Sequence, residues 1–422
     1  MVVPDGLMAE RNLTHPALAP VPGGSAAGIS AFWALCATLA MQTLATMAAF
    51  SLPAMAPAIG RDTGVDGALV GYFIATVYGV GIISAVLSPG FIHRFGAVRV
   101  AQAVMVAVPA MLLTATLGGL PSFACSAVFL GLAYGATAPA STHLLVAGKS
   151  MANVNLLLSV RQVGVPLGGV LGAFLLPPIV VAAGWRPALL VQLLPSLLLL
   201  ALLELPRRRW DADRNPRYPL SLGNALRPLH LLRDSAPLRR LSLACFVYSG
   251  IQLCFISFMT VHLTGVVGLD LVRAGQALAV YQTAGAVSRP IWGWIADRFI
   301  AARWLMVLQG IVMAGAALSA GDFGAAWTIL PIFAVCIVAG ATASGFTGIA
   351  FAEYARLGRS RRTEATGLGA AAMFAGVTTL PSGFALTVGL GHGYGVAYDA
   401  IALLAVAAAA VLLAPAAGWR HS

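Results

Sequence analysis

The chain has 422 residues, 59% of them hydrophobic and 9% charged, more apolar side chain than one water-soluble core of this length can hide. The net charge of +11 does not point to a nucleic-acid partner, because the basic residues fall in short loops between apolar runs and read as membrane topology. Such runs of about 20 residues are helices, since no water is present in lipid to satisfy an open backbone.

Residues 1–27 form a polar lead with Asp5, Glu10 and Arg11, read as a cytoplasmic tail; the apolar run after it is longer than a signal-peptide core. Twelve spans are then predicted at 29–52, 68–90, 98–119, 121–146, 153–182, 186–205, 240–265, 273–295, 302–320, 325–352, 364–389 and 394–416. Pro177 and Pro178 interrupt span five. The polar stretch 206–239 divides the spans into bundles at 28–205 and 240–416, and 417–422 is a second tail. The fold class is therefore all-α and membrane-embedded.

Positive charge alternates between loops. One side carries Arg94, Arg99 and Lys149. It also carries the arginines of the central loop from Arg207 to Arg240, then Arg298, Arg303, Arg356, Arg359, Arg361 and Arg362. The other side shows Arg61, Arg186 and Arg273. The arginine-rich side is assigned to the cytoplasm, with both termini, in a cell inner (plasma) membrane. Basic loops there face anionic lipid.

The two halves repeat. Pro89-Gly90-Phe91-Ile92-His93-Arg94-Phe95-Gly96-Ala97-Val98-Arg99 follows span two, and Gly293-Trp294-Ile295-Ala296-Asp297-Arg298-Phe299-Ile300-Ala301-Ala302-Arg303 follows span eight. Arg94 aligns with Arg298 and Arg99 with Arg303. Such halves build secondary transporters with a midplane site between them.

Six plus six spans, a basic central loop and this G-x-x-x-D-R-x-G loop pattern resemble the major facilitator superfamily over essentially the whole chain. The resemblance implies two six-helix bundles related by a pseudo-twofold axis. It also implies that the loops latch the cytoplasmic side through ion pairs and helix-end dipoles, a role carried to Asp297 and Arg298. The first loop departs from the pattern with His93 for the Asp, and the second with Ile300 for a Gly. Arg161-Gln162-Val163-Gly164-Val165-Pro166-Leu167-Gly168-Gly169 resembles a span-five pattern of bacterial permeases. Gly164, Gly168 and Gly172 share one helix face, suited to close packing or, with Pro166, to a hinge. Ala352-Glu353-Tyr354-Ala355-Arg356 and Glu364-Ala365-Thr366-Gly367 also look like permease patterns, with Glu353 and Arg356 read first as a cytoplasmic-end ion network.

Two arginines lie inside spans, where a charge is a functional hypothesis by default. Arg161 and Arg289 each sit about 12–14 Å from the arginine-rich side at 1.5 Å per residue. The resemblance makes spans five and eight neighbours, so an anion between the guanidiniums would relieve their repulsion. No Asp or Glu occurs in mid-span. Gln162, Tyr134, Tyr248, Gln252, Tyr281 and Gln282, with Gln42 and Thr43, are further candidates to line a cavity, each equally able to make an interhelical hydrogen bond. His143 and His262, near span ends, read as structural donors.

The chain lacks G-x-x-x-x-G-K-[ST] and H-E-x-x-H, and its five cysteines fit no metal or disulfide spacing, so no enzyme activity, cofactor or metal is expected. The reading is a monomeric secondary transporter of a small organic anion, by proton coupling or exchange. Efflux of hydrophobic drug-like compounds is the alternative; a membrane sensor or an intramembrane enzyme has less support.

Overall fold

The computed structural model describes residues 25–64, 70–146, 153–220 and 227–414. Most of the expected first tail, the second tail, and Lys149 lie outside these residues. Helix occupies every expected span. Spans one to four are Ser25–Thr63, Val70–Phe95, Ala97–Thr116 and Leu120–Val146. Span five is Val154–Gln162 followed by Gly164–Ala183, and span six is Trp185–Leu190 followed by Leu193–Leu202. Spans seven to nine are Ala236–Gly265, Leu271–Arg298 and Ala302–Gly321. Span ten is Ile329–Ala339, a π-helical turn Gly340–Ser344, and Thr347–Gly358. Spans eleven and twelve are Arg362–Thr387 and Gly393–Leu413.

Nine helical stretches among the described residues are long and apolar enough to cross a membrane. One of them, Ile329–Leu413, contains spans ten to twelve; the chain reverses at Arg359 (φ 50°) and again at Gly391 and Gly393. Leu271–Arg298 is of crossing length too, but its internal charges lower its hydropathy.

The helices form two six-helix bundles, all-α, without strand among the described residues. One apolar cluster uses residues between Ala37 and Leu203, the other chiefly residues between Leu238 and Leu412. The arrangement repeats: span one packs on five as seven packs on eleven, and the bundles meet through five against eight and two against eleven. Span four also touches eleven, and five touches ten.

Two helix starts in the second bundle carry their own caps. Ser235 Oγ accepts the Leu238 amide at 3.4 Å, and Asp270 Oδ1 accepts the Arg273 amide at 3.0 Å. Each satisfies one of the amides that a helix start leaves open. Span twelve ends under two guanidiniums instead. Arg303 donates to the carbonyls of Leu412 and Leu413 at 2.7 Å each, and Arg240 to that of Ala414 at 2.6 Å.

The glycine stripe of span five lies on span one. A Cβ at Gly168 would stand 2.3 Å from the Thr43 carbonyl oxygen, and one at Gly164 2.9 Å from the Leu39 carbonyl oxygen. Gly172 is different: its nearest neighbour would be Met47 at an ordinary 3.7 Å. The close approach is therefore confined to the first two glycines.

Candidate functional site

Two adjoining cavities lie between the bundles. The deeper, of about 110 Å³, is lined by Gln42, Tyr134, Arg161, Gln162, Gln252 and Arg289, with Tyr78, Phe374 and Met373 among its apolar walls. The wider, of about 380 Å³, extends away from the arginine-rich face. It is lined by Phe50, Phe73, Ile74, Tyr78, Leu253, Ile256 and Pro381, among others. Phe50, Tyr78, Tyr134, Leu253, Ile256 and Val377 border both. No Asp or Glu is in either lining.

The two arginines are both buried, at 2% and 1% exposure for Arg161 and Arg289, but they are held differently. Arg161 donates through Nη1 to Gln162 Oε1 at 2.6 Å and through Nη2 to Gln42 Oε1 at 2.7 Å. Its Nε is buried without a partner. A guanidinium has five N–H donors, so Arg161 keeps donors in reserve.

Arg289 is a clip between the bundles. Nη1 donates to the Gln162 carbonyl at 2.5 Å, Nε to the Ser344 carbonyl at 3.0 Å, and Nη2 to Ser344 Oγ at 2.9 Å. The sequence explains why the first acceptor is free. In an α-helix the Gln162 carbonyl would receive the amide of residue 166, and residue 166 is Pro166, which has none. The Ser344 carbonyl lies at the end of the π-helical turn, where the regular ladder is also interrupted. Two backbone breaks, one per bundle, thus supply two of the acceptors that let a guanidinium be buried.

The remaining candidates divide. Gln252 lines the deep cavity and donates to Ser344 Oγ at 3.2 Å. Tyr134 lines both cavities, its hydroxyl 3.4 Å from Thr46 Oγ1. Tyr248 does not line either: its hydroxyl donates to the Met306 carbonyl at 3.1 Å, on span nine. Tyr281 is also outside the linings, stacked on Phe255 with its hydroxyl toward the Gln252 carbonyl at 3.4 Å. Gln282 is half-buried and borders neither cavity. Tyr78 and Phe374, whose rings stand 5.4 Å apart across the bundle boundary, are wall residues that sequence reasoning missed. Aromatic residues are too common in spans to be singled out by pattern.

At the arginine-rich face the bundles touch. Asp297 of span eight accepts the Leu156 amide at 2.8 Å, the Asn155 amide at 3.2 Å and Asn155 Nδ2 at 2.8 Å. A carboxylate of one bundle therefore caps the first turn of a helix in the other, where the helix dipole also favours it. A Cβ at Gly348 would fall 2.2 Å from Ser159 Oγ, so spans five and ten touch nearly backbone to backbone.

On the equivalent side His93 Nε2 lies 3.3 Å from Glu364 Oε1. His143 joins Asp213 Oδ2 at 2.7 Å through Nε2, and Thr363 Oγ1 at 3.0 Å through Nδ1. The hydrogen bond from His143 holds the Asp213 carboxyl below the usual carboxylate range.

The other expected latch residues bond within their own bundle. Arg94 lies over the Phe95 ring at 5.5 Å. Arg99 pairs with Glu204 at 3.2 Å and with Gln102 at 2.7 Å. Arg298 is exposed and makes no ion pair with a described residue. Arg303 caps span twelve, and Glu353 pairs with Arg356 one turn along its own helix. Charge at a loop end was the signal for all of them, and in most it serves helix ends and neighbours nearer in the chain.

Asp211 of the central loop was not anticipated. Its carboxylate accepts the Val98 amide at 2.8 Å and the Arg99 amide at 3.3 Å, capping span three. Burial pushes this carboxyl up, and the two amide bonds pull it back part of the way. Gly96 makes room: its φ is +98°, and a Cβ there would lie 2.1 Å from Asp211 Cγ.

Residues 34–381 match the family model of the Major Facilitator Superfamily. Solved structures share the fold. The human organic anion transporter MFSD10 (TETRAN) superposes with a TM-score of 0.72 at 16% identity, covering 90% of this chain and 99% of that one. The E. coli fucose:proton symporter FucP gives 0.69 at 13%, covering 91% and 98%. The proton:xylose symporter XylE gives 0.66 at 14%, covering 91% and 95%. No curated protein sequence matches the chain significantly.

Proposed function

The chain belongs to the Major Facilitator Superfamily, a multi-pass membrane protein of the secondary-transporter type, and we propose that it carries a small organic anion, carboxylate-like, by alternating access. The observation that carries this reading is Arg161, a buried cavity-lining guanidinium with Nε unpartnered and no acidic side chain in the lining. A carboxylate fits such a planar donor edge. Phe50, Tyr78, Leu253 and Ile256 offer an apolar wall for the organic body. Arg289, with three donors engaged by protein acceptors, supplies charge and ties the bundles more than it offers free donors.

The arginine-rich face is taken as cytoplasmic, with both tails, in the inner (plasma) membrane of a monomer. The bundles 28–205 and 240–416 rock against each other while 206–239 links them. FucP and XylE are named as proton symporters and MFSD10 as an organic anion transporter, which supports a proton or a counter-anion as the driving partner. The apolar wider cavity favours one second reading, efflux of hydrophobic compounds.

Ligand-dependent thermal stability separates the two, because a ligand of the folded state raises apparent stability by mass action. Detergent-purified protein is heated with small carboxylates or with lipophilic cations, as wild type and as Arg161→Gln. Stabilisation by carboxylates that disappears in Arg161→Gln is expected. Stabilisation by lipophilic compounds alone, equal in both proteins, would replace the anion reading with efflux.

A further inference from the structure

We infer that the cargo is an amphiphilic monocarboxylate, its carboxylate held between Arg161 of span five and Thr347 of span ten and its apolar body in the wider cavity. This rests on the anion reading above and adds to it a second ligand contact and a narrower class of ligand.

Thr347 is 7% exposed, lines the deeper cavity and follows the π-helical turn Gly340–Ser344. A threonine inside a helix often donates its hydroxyl to the carbonyl four residues earlier. In the second bundle Thr342, Thr366 and Thr378 do so, at 2.8, 3.0 and 2.9 Å. For Thr347 that carbonyl belongs to Ala343, inside the π-helical turn, where the regular spacing is broken. Its Oγ1 is buried and has no partner. Ser159 Oγ is also buried without a partner, but it borders neither cavity and is pressed against Gly348.

Among the described residues lining the deeper cavity, Arg161 Nε and Thr347 Oγ1 are the buried polar side-chain atoms left unpaired. One belongs to each bundle. Guanidinium and hydroxyl can both donate, so an acceptor-only group satisfies the two together, and an ionised carboxylate has one oxygen for each.

The deeper cavity, about 110 Å³, takes the head. Tyr78 and Tyr134 border both cavities, so the body passes them into the wider one of about 380 Å³. No charged side chain among the described residues lines that wider cavity. A second carboxylate on the body would be buried there unpaired, which is costly. The polar groups of the wider cavity are hydroxyls, and those of Tyr134, Thr378 and Ser382 are already bonded within the protein. A polyhydroxylated body would therefore lose water and gain few partners. An apolar body loses nothing polar and covers Phe50, Ile74, Leu253 and Ile256.

Four probes test this. They are octanoate; suberate, the same chain with a second carboxylate; gluconate, a monocarboxylate with a hydroxylated body; and octylammonium, the same chain with a cationic head. Melting of the detergent-purified full chain over a concentration series gives an apparent affinity for each. Octanoate should bind at least about tenfold more tightly than the other three. Thr347→Val should weaken octanoate about tenfold, as for a hydrogen bond to a charged group, and Thr347→Ser should restore it. Without ligand Thr347→Val should melt no lower than wild type, because an unpaired buried hydroxyl does not stabilise the empty fold. A structural hydroxyl would instead lower that melt and leave the affinity alone. Suberate or gluconate equal to octanoate, or wild-type octanoate affinity in Thr347→Val, overturns the assignment. Carboxylate stabilisation that still disappears in Arg161→Gln then leaves the anion reading standing. Its absence with every carboxylate, or an equal effect of octylammonium, removes both. Should Thr347→Val fail to fold, the hydroxyl is structural and its ligand role falls, and the wild-type probe series alone decides the class.

Discussion

On one side of the arginine-rich face, Asp297 of span eight caps span five; on the other, His93 of span two meets Glu364 of span eleven. The two places are equivalent in the repeat, and both join one bundle to the other. The first uses a carboxylate on the backbone amides of a helix start. The second puts the ionisable partner on the opposite bundle and replaces the fixed charge with an imidazole. A duplicated contact has kept its position and changed its chemistry.

The largest effects should come from steric wedges, which ignore that chemistry. Ala at Gly348 or at Gly367 would place a methyl 2.2 Å from Ser159 Oγ or 2.4 Å from the Ala85 carbonyl oxygen. Overpacking costs about 1–3 kcal/mol, which moves a closed-to-open ratio roughly 5- to 150-fold. Both variants should lengthen the distance between spin labels at Phe91→Cys and Phe299→Cys, at any pH. A response from only one would mean that the two sides open independently.

Next in size is Asp297→Ala. Loss of a helix cap costs about 1 kcal/mol, so the open fraction should rise about fivefold. An unchanged distance distribution would mean that this cap does not hold the bundles together.

Pro166→Ala sharpens the contrast at a third bundle contact. The new amide competes with Arg289 for the Gln162 carbonyl, a hydrogen bond worth about 0.5–1.5 kcal/mol. Thermal melts of Pro166→Ala, Arg289→Gln and the double variant should be non-additive, as for residues sharing one partner. Strict additivity would show that the proline and the arginine act separately.

The smallest effect concerns Asp213. Its carboxyl lies below the usual range in the folded protein. Its contribution is therefore present above the unfolded carboxylate value, about 3.9, and is lost as pH falls through the lower folded value. Asp213→Asn should flatten the acid side of the melting profile below about pH 4 and leave neutral behaviour little changed. An unchanged acid slope would mean that the His143 contact does not persist in solution.

Helix positions were legible because apolar runs of span length have few alternatives in lipid. That Arg161 and Arg289 come to one cavity was legible by counting residues. Which of them keeps spare donors was not, because the answer depends on acceptors far away in sequence. The Gln162 carbonyl is partly readable, since a proline four residues on always removes that acceptor's helical partner. Ser344 is not, because a π-helical turn has no strong local signature. The loop arginines misled for a related reason. Topology, helix capping and latching all ask for positive charge at the same place, and only the three-dimensional partner of Arg99 or Arg303 tells them apart. His93 stands where the loop pattern has an Asp, and the acid it meets is Glu364, on the other bundle.

Arg289 settles among neutral carbonyls and a hydroxyl, and Arg161 between two carboxamides. No carboxylate lining the cavity cancels them. The cavity therefore carries two positive charges inside the low-dielectric slab, and the monoanion proposed as cargo would lower that to one. Moving a unit charge through the full membrane potential involves about 2.3 kcal/mol per 100 mV. On that reading voltage would act more strongly on the return of the unloaded protein than on its loaded stroke, making the cycle electrically asymmetric.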